Sequence, residues 1–159
     1  MNDNKLTPKQ TRSKIIVVGV IALLTLGAIL QLTQKHSASF QIISSNKESR
    51  TLSLLIASNW FKKFRGLSEI SSLKNADGMI FLYNREKKHQ FIMRNMRFNL
   101  DFFFIDKSGY VIEIKRNISR SYKGIITNKN PALMVLEVPS LNPIAQSIKI
   151  KSQVLAVQN

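Results

Sequence analysis

Leu100-Asp101-Phe102-Phe103-Phe104-Ile105-Asp106-Lys107-Ser108-Gly109-Tyr110-Val111-Ile112-Glu113-Ile114-Lys115-Arg116 decides the fold class. Its first part, Leu100 to Asp106, is a continuous apolar run that fits a central strand buried on both faces. Tyr110 to Arg116 alternates apolar and polar residues, the pattern of a strand with one wet face. Between them, Asp106-Lys107-Ser108-Gly109 has Asp at the first turn position and Gly at the last, which joins the two strands as a hairpin.

The same reading extends in both directions. Toward the C-terminus, Ala132 to Val138 is an apolar strand ended by Pro139. Ser140 to Ser147 holds a helical turn with Pro143 near its start, and Ile148 to Val157 returns to strand character. Arg116 to Asn130 reads as a long basic surface loop broken at Gly124. Toward the N-terminus, Asp77-Gly78 is a turn before a strand at Met79 to Tyr83, and Asn84 to Lys88 is a charged loop leading to a strand at Gln90 to Met93. Thr51 to Ile56 places Leu52, Leu54 and Ile56 on one face of a half-buried strand. Ser58 then caps a short helix whose apolar stripe is Trp60, Phe61 and Phe64, with Lys62, Lys63 and Arg65 facing outward and Gly66 as its left-handed stop. The expected fold is mainly β (α+β): a compact sandwich or barrel-like domain of about seven strands with one or two short helices, preceded by one transmembrane helix.

That helix is Ile15 to Leu32, 18 residues without a charge and about 27 Å long as a helix, close to the thickness of a bilayer core. Lys5, Lys9, Arg12 and Lys14 precede it, so the positive-inside rule puts residues 1–14 in the cytoplasm as a basic tail. Residues 33–39 form a tether, and 40–159 form an extracytoplasmic domain on the cell membrane. The alternative is a cleaved signal peptide, because Ser37-Ala38-Ser39 loosely fits a small-x-small cleavage site, and the domain is then secreted.

Lys and Arg number 24 against 9 Asp and Glu, a net charge of +15. Five of the bases and one acid lie before residue 40, which leaves +11 on the exported domain. Such a surface favours polyanions, namely anionic lipid headgroups, phosphate-bearing envelope polymers or, less favoured, nucleic acid, and a partner protein is a further candidate. With no cysteine in the chain, disulfides, thiolate nucleophiles and Cys-based zinc or iron–sulfur sites are excluded. Phosphate-binding Gly-rich loops, nucleophile elbows and H-E-x-x-H helices are absent as well. No cofactor is implied.

The order of landmarks resembles the domain of unknown function family 192, a β-rich domain often exported or membrane-tethered. Arg65-Gly66-Leu67 is similar to its R-G-L, Gly78-Met79-Ile80-Phe81 to G-M-L-F, and Phe91-Ile92-Met93-Arg94-Asn95-Met96 to F-W-M-K-N-T. Leu100-Asp101 is similar to P-L-D without the proline, where Asn99 stands; Phe104-Ile105-Asp106 matches F-I-D, and Val135-Leu136-Glu137 matches V-L-E. Ile92 replaces the Trp and Met96 the Thr, while Lys151-Ser152 stands where the pattern has Gly-Asp. The resemblance runs from about Leu52 to Val157 and implies a fold, with no established activity attached.

Four polar residues sit inside these apolar motifs: Arg65, Asn95, Asp101 and Glu137. They point either to a small polar ligand site or to internal ties, with Asn95 holding a turn and a carboxylate pairing with Arg65. Asp101 and Glu137 as general acid and base define a hydrolase or transferase alternative. His89, Met93 and Met96 form a soft donor set suited to Cu(I). On a strand Met93 and Met96 point to opposite faces, so core packing is the better reading and no metal site is assigned. Lys62, Lys63, Arg94, Arg97, Lys115, Arg116, Arg120 and Lys123, interleaved with aromatics, are the candidate polyanion contacts.

Overall fold

The computed structural model describes residues 37–44 and 46–157. The basic tail, the 15–32 segment and residues 33–36 lie outside the described residues. Among the described residues no helix is long and apolar enough to cross a membrane.

Among the described residues, nine strands and two short helices follow one another: β1 (Ser37–Ile43), β2 (Ser49–Ala57), α1 (Trp60–Arg65), β3 (Gly78–Lys87), β4 (Gln90–Phe91), β5 (Leu100–Ile105), β6 (Val111–Ile118), β7 (Ile126–Thr127), β8 (Ala132–Pro139), α2 (Pro143–Ser147) and β9 (Gln153–Ala156). Seven strands form one sheet in the order β6-β5-β8-β3-β2-β1-β9, and β4 pairs with β7 separately. The sheet closes on itself where its two edges meet. Tyr110 bridges Gln153, the Val111 amide donates to the Ser152 carbonyl at 2.9 Å, and the Val154 amide donates to Gly109 at 2.8 Å. Of the two expected forms, the barrel is the one found. Gly109 sits at the seam with φ +83°, and a Cβ there would lie 2.9 Å from the Val154 carbonyl, so only Gly suits both the turn and the closure.

The alternation of side chains divides the apolar residues into two cores. All seven strands contribute to the barrel interior, among them Ile42, Leu54, Ile80, Phe103, Leu136 and Val154, and Ala145 and Ile148 from and after α2 plug one end. The opposite face of β3, β5 and β8 carries Phe81, Phe102, Phe104 and Val135, which pack outside the barrel against Leu67, Met93, Met96 and Ile126. That is why Leu100–Ile105 is buried at all six positions. β2 and β3 are the one parallel pair among the described residues, and a parallel pair requires a crossover. Here the crossover is α1 with the segment up to Asp77, and it roofs the outer core.

Several expectations change. Residues 84–87 continue β3 instead of forming a charged loop, and the strand read at Gln90 to Met93 is two residues long. The 116–130 loop contains β7, with Ile126 and Asn128 buried. Ser37–Ser39, read as the end of the tether, pair with Leu55, Leu54 and Ser53 in β1. Asn59, not Ser58, caps α1, its side chain accepting from the Lys62 amide at 2.9 Å. The largest correction concerns the stripe on that helix. Trp60, Phe61 and Phe64 are 75%, 61% and 59% exposed, and they cover no core.

Candidate functional site

Glu137 is the residue around which the outer core opens. On β8 it stands opposite Met79 of β3 and Phe102 of β5, so its side chain points to the outer face among aromatic rings. It is buried, and among the described residues no hydrogen bond or ion pair holds its carboxyl. Burial alone pushes its pKa up to about 8, so at neutral pH it is mostly a neutral acid able to donate a hydrogen bond. Folding therefore takes up a proton between the ordinary glutamate range and about pH 8. The stabilisation is complete below that range and is lost as pH rises through about 8.

Above it lies a cavity of about 300 Å³ whose apolar wall includes Leu67, Phe81, Phe91, Ile92, Met96 and Ile125. Phe91 packs edge-on to Phe81 at 5.2 Å and against Phe102 at 5.5 Å, which keeps the wall in shape. Lys63, Arg65 and Arg94 line the same cavity. The end of α1 sets the roof. Gly66, with φ 53° and ψ −137°, donates to the Lys62 carbonyl at 2.9 Å and turns the chain so that Leu67 drops into the core. A Cβ on Gly66 would lie 3.9 Å from Glu137 Oε2. The R-G-L and V-L-E motifs thus meet at one point.

Tyr83 extends the site. Its ring stacks on His89 at 3.7 Å, and Lys63 Nζ sits 4.3 Å above it. Burial, and then the nearby Glu137 carboxylate, raise its pKa to about 12. The His89 pKa is lowered, chiefly by burial and then, opposed by its backbone hydrogen bond, by Lys87 and Lys63. Its Nε2 lies 2.8 Å from the Ala132 carbonyl. His89, Met93 and Met96 are all buried, and no group of three His, Asp or Glu side chains suited to a metal occurs among the described residues.

The four candidate ligand residues are not one constellation. Arg65 and Glu137 share the cavity. Asn95 ties a turn in the left-handed region at φ 56°, its carbonyl accepting from the Glu69 amide at 3.0 Å. Asp101 points the other way, its neighbour across the ladder being Val138, which lies in the barrel interior. Asp101 and Glu137 are on opposite faces of the sheet, so they cannot serve as a paired acid and base. Asp101's partner is Arg116, not Arg65: Arg116 Nη1 lies 2.6 Å from Asp101 Oδ2. The same guanidinium donates to the Ala145 and Ile148 carbonyls at 2.7 and 2.5 Å and lies over Phe103.

The candidate polyanion contacts divide likewise. Arg116 is committed to this internal bolt, and Lys115 pairs with Glu113 at 3.2 Å. Arg94, Arg97, Arg120 and Lys123 come together with Tyr122 along a second, shallower groove that shares Ile92, Arg94 and Met96 with the first cavity. Lys62 and Lys63 flank the exposed aromatics of α1. Sequence reasoning missed Tyr83 as part of the site, its only signal being aromatic character at the end of a strand, and placed Phe91 with the aromatics of a basic surface instead of in the cavity wall.

The family model described as DUF192, Uncharacterized ACR, matches residues 41–154. No curated protein matches the chain. Among solved structures, the chain is similar to a candidate transcription regulator from Sinorhizobium meliloti, at 19% identity and a TM-score of 0.71, over 77% of this chain and 95% of that one. It is also similar to a protein of unknown function from Novosphingobium aromaticivorans, at 24% identity and a TM-score of 0.67, over 74% and 84%. At these identities the likeness extends to the fold alone.

Proposed function

We propose, for a chain that belongs to the DUF192 family of uncharacterised proteins, a binding module held at the cell envelope, whose cavity takes a small ligand with an apolar body and an anionic end. The observation that carries this reading is Glu137, a buried acid with no internal partner at the base of an apolar cavity that Lys63, Arg65 and Arg94 also line. The carboxyl opens onto the cavity with no protein partner among the described residues, and a ligand there supplies one. The wall offers area, the neutral acid a directional hydrogen bond, and the bases the charge complement. The envelope setting rests on the uncharged 15–32 segment and the bases before it.

Native mass spectrometry of the full-length chain, extracted from its host membrane in mild detergent, tests the reading. One small-molecule adduct is expected on the wild type, and its occupancy should fall about tenfold in Glu137→Leu, which keeps the bulk and removes the donor, the equivalent of one buried hydrogen bond. A bare wild-type mass, or equal loading of the two proteins, would overturn it.

A further inference from the structure

We infer that the aromatic and basic face formed by α1 and the cavity mouth docks on an anionic lipid surface. This goes beyond the cavity reading, because it concerns the outer rim and not what the cavity holds. Trp60, Phe61 and Phe64 cover nothing in the barrel, and Ile92 and Ile125 beside them are 55% and 58% exposed. The rings meet one another and a base: Trp60 stacks on Phe64 at 5.4 Å, and the Arg94 guanidinium lies 5.1 Å from the Phe64 ring. Lys62, Lys63 and Arg65 alternate with the rings along α1 without an acid among them. A soluble partner with a matching apolar face would not ask for this ring of bases. An anionic bilayer asks for both components, because aromatic rings seat at headgroup depth while Lys and Arg meet the lipid charge.

Trp60 is the chain's single tryptophan, so its fluorescence reports on this face alone. The full-length protein is reconstituted into vesicles of phosphatidylcholine and, separately, of phosphatidylcholine with phosphatidylglycerol. Expected in the anionic vesicles only are a blue shift of Trp60 emission and quenching by lipids brominated in the acyl chain, both reversed by molar salt. Lys62→Gln and Arg94→Gln should each weaken the docking about fivefold, as the loss of one base near a charged surface does, with unfolding temperatures little changed because Arg94 is exposed and Lys62 is only half-buried. Emission that is identical in the two vesicle types, or insensitive to salt, or open to aqueous iodide in both, would overturn the inference. Flotation with the neutral vesicles reports separately on the anchor, so failure of that reading is distinguishable from failure of this one.

Discussion

Replacing Arg116 by Ala should cost about 3–5 kcal/mol of stability, the range for removing one partner of a buried ion pair. The asymmetry of the pair sets the size of the effect. The Arg116 side chain is 34% exposed and keeps some water, whereas that of Asp101 is 1% exposed and pairs with no other cation among the described residues. Asp101 also accepts the Asn117 amide at 2.8 Å, which cannot neutralise a full charge. The loss extends to α2, since the Ala145 and Ile148 carbonyls lose their donor and the helix that plugs the barrel is freed at that end. The double variant Asp101→Leu/Arg116→Met removes the stranded charge and should recover part of the loss. Denaturant titration of the three proteins reads both numbers, and a single variant within about 1 kcal/mol of wild type would show that the pair does not hold the barrel end.

Gly78→Ala should destabilise by about 3 kcal/mol or more, the upper range for overpacking. A Cβ at Gly78 would lie 2.2 Å from the Glu137 carbonyl oxygen and 3.2 Å from Val138 Cγ2. The obstacle is backbone, which no rotamer change relieves. β3 and β8 would have to separate at the strand that carries Glu137, so the cavity should be disturbed together with the fold. Thermal unfolding of Gly78→Ala checks the prediction, and an unchanged midpoint would contradict the packing described.

Much of this fold was legible because apolar runs and turn chemistry act locally. Leu100–Ile105, its hairpin at Asp106–Gly109 and the strand ended by Pro139 follow from adjacent residues alone. β1 was not readable in the same way: Phe40 and Ile42 occupy a short segment next to the uncharged 15–32 run, and their burial depends on β2 and β9, which are distant in sequence. The stripe on α1 was seen but assigned the wrong surroundings. A row of Trp60, Phe61 and Phe64 has one periodicity whether it meets a core or solvent, and only the position of the crossover decides.

For the site, Glu137 stood out as an acid within an apolar strand, and Arg65 lay beside a glycine that had to turn the chain. That these two meet while Asp101 does not is a matter of parity. Phe102, not Asp101, is the residue facing Glu137 across the β5–β8 ladder, and a shift of one residue changes the face. Pairing register is a long-range property that no local pattern encodes. The choice of Arg116 as the partner of Asp101 was hidden for the same reason, since Arg116 read as one basic residue among many on an outward-facing strand.

The central claim is that Glu137 stands at the base of the cavity as a buried acid without an internal partner. The most direct measurement is the pH titration of its side-chain carboxyl carbon by ¹³C NMR in the full-length chain, assigned by comparison with Glu137→Gln. The structure predicts a midpoint near 8. A midpoint near the ordinary glutamate value of about 4.3 would mean that water or a cation already satisfies the carboxyl, and would contradict the account.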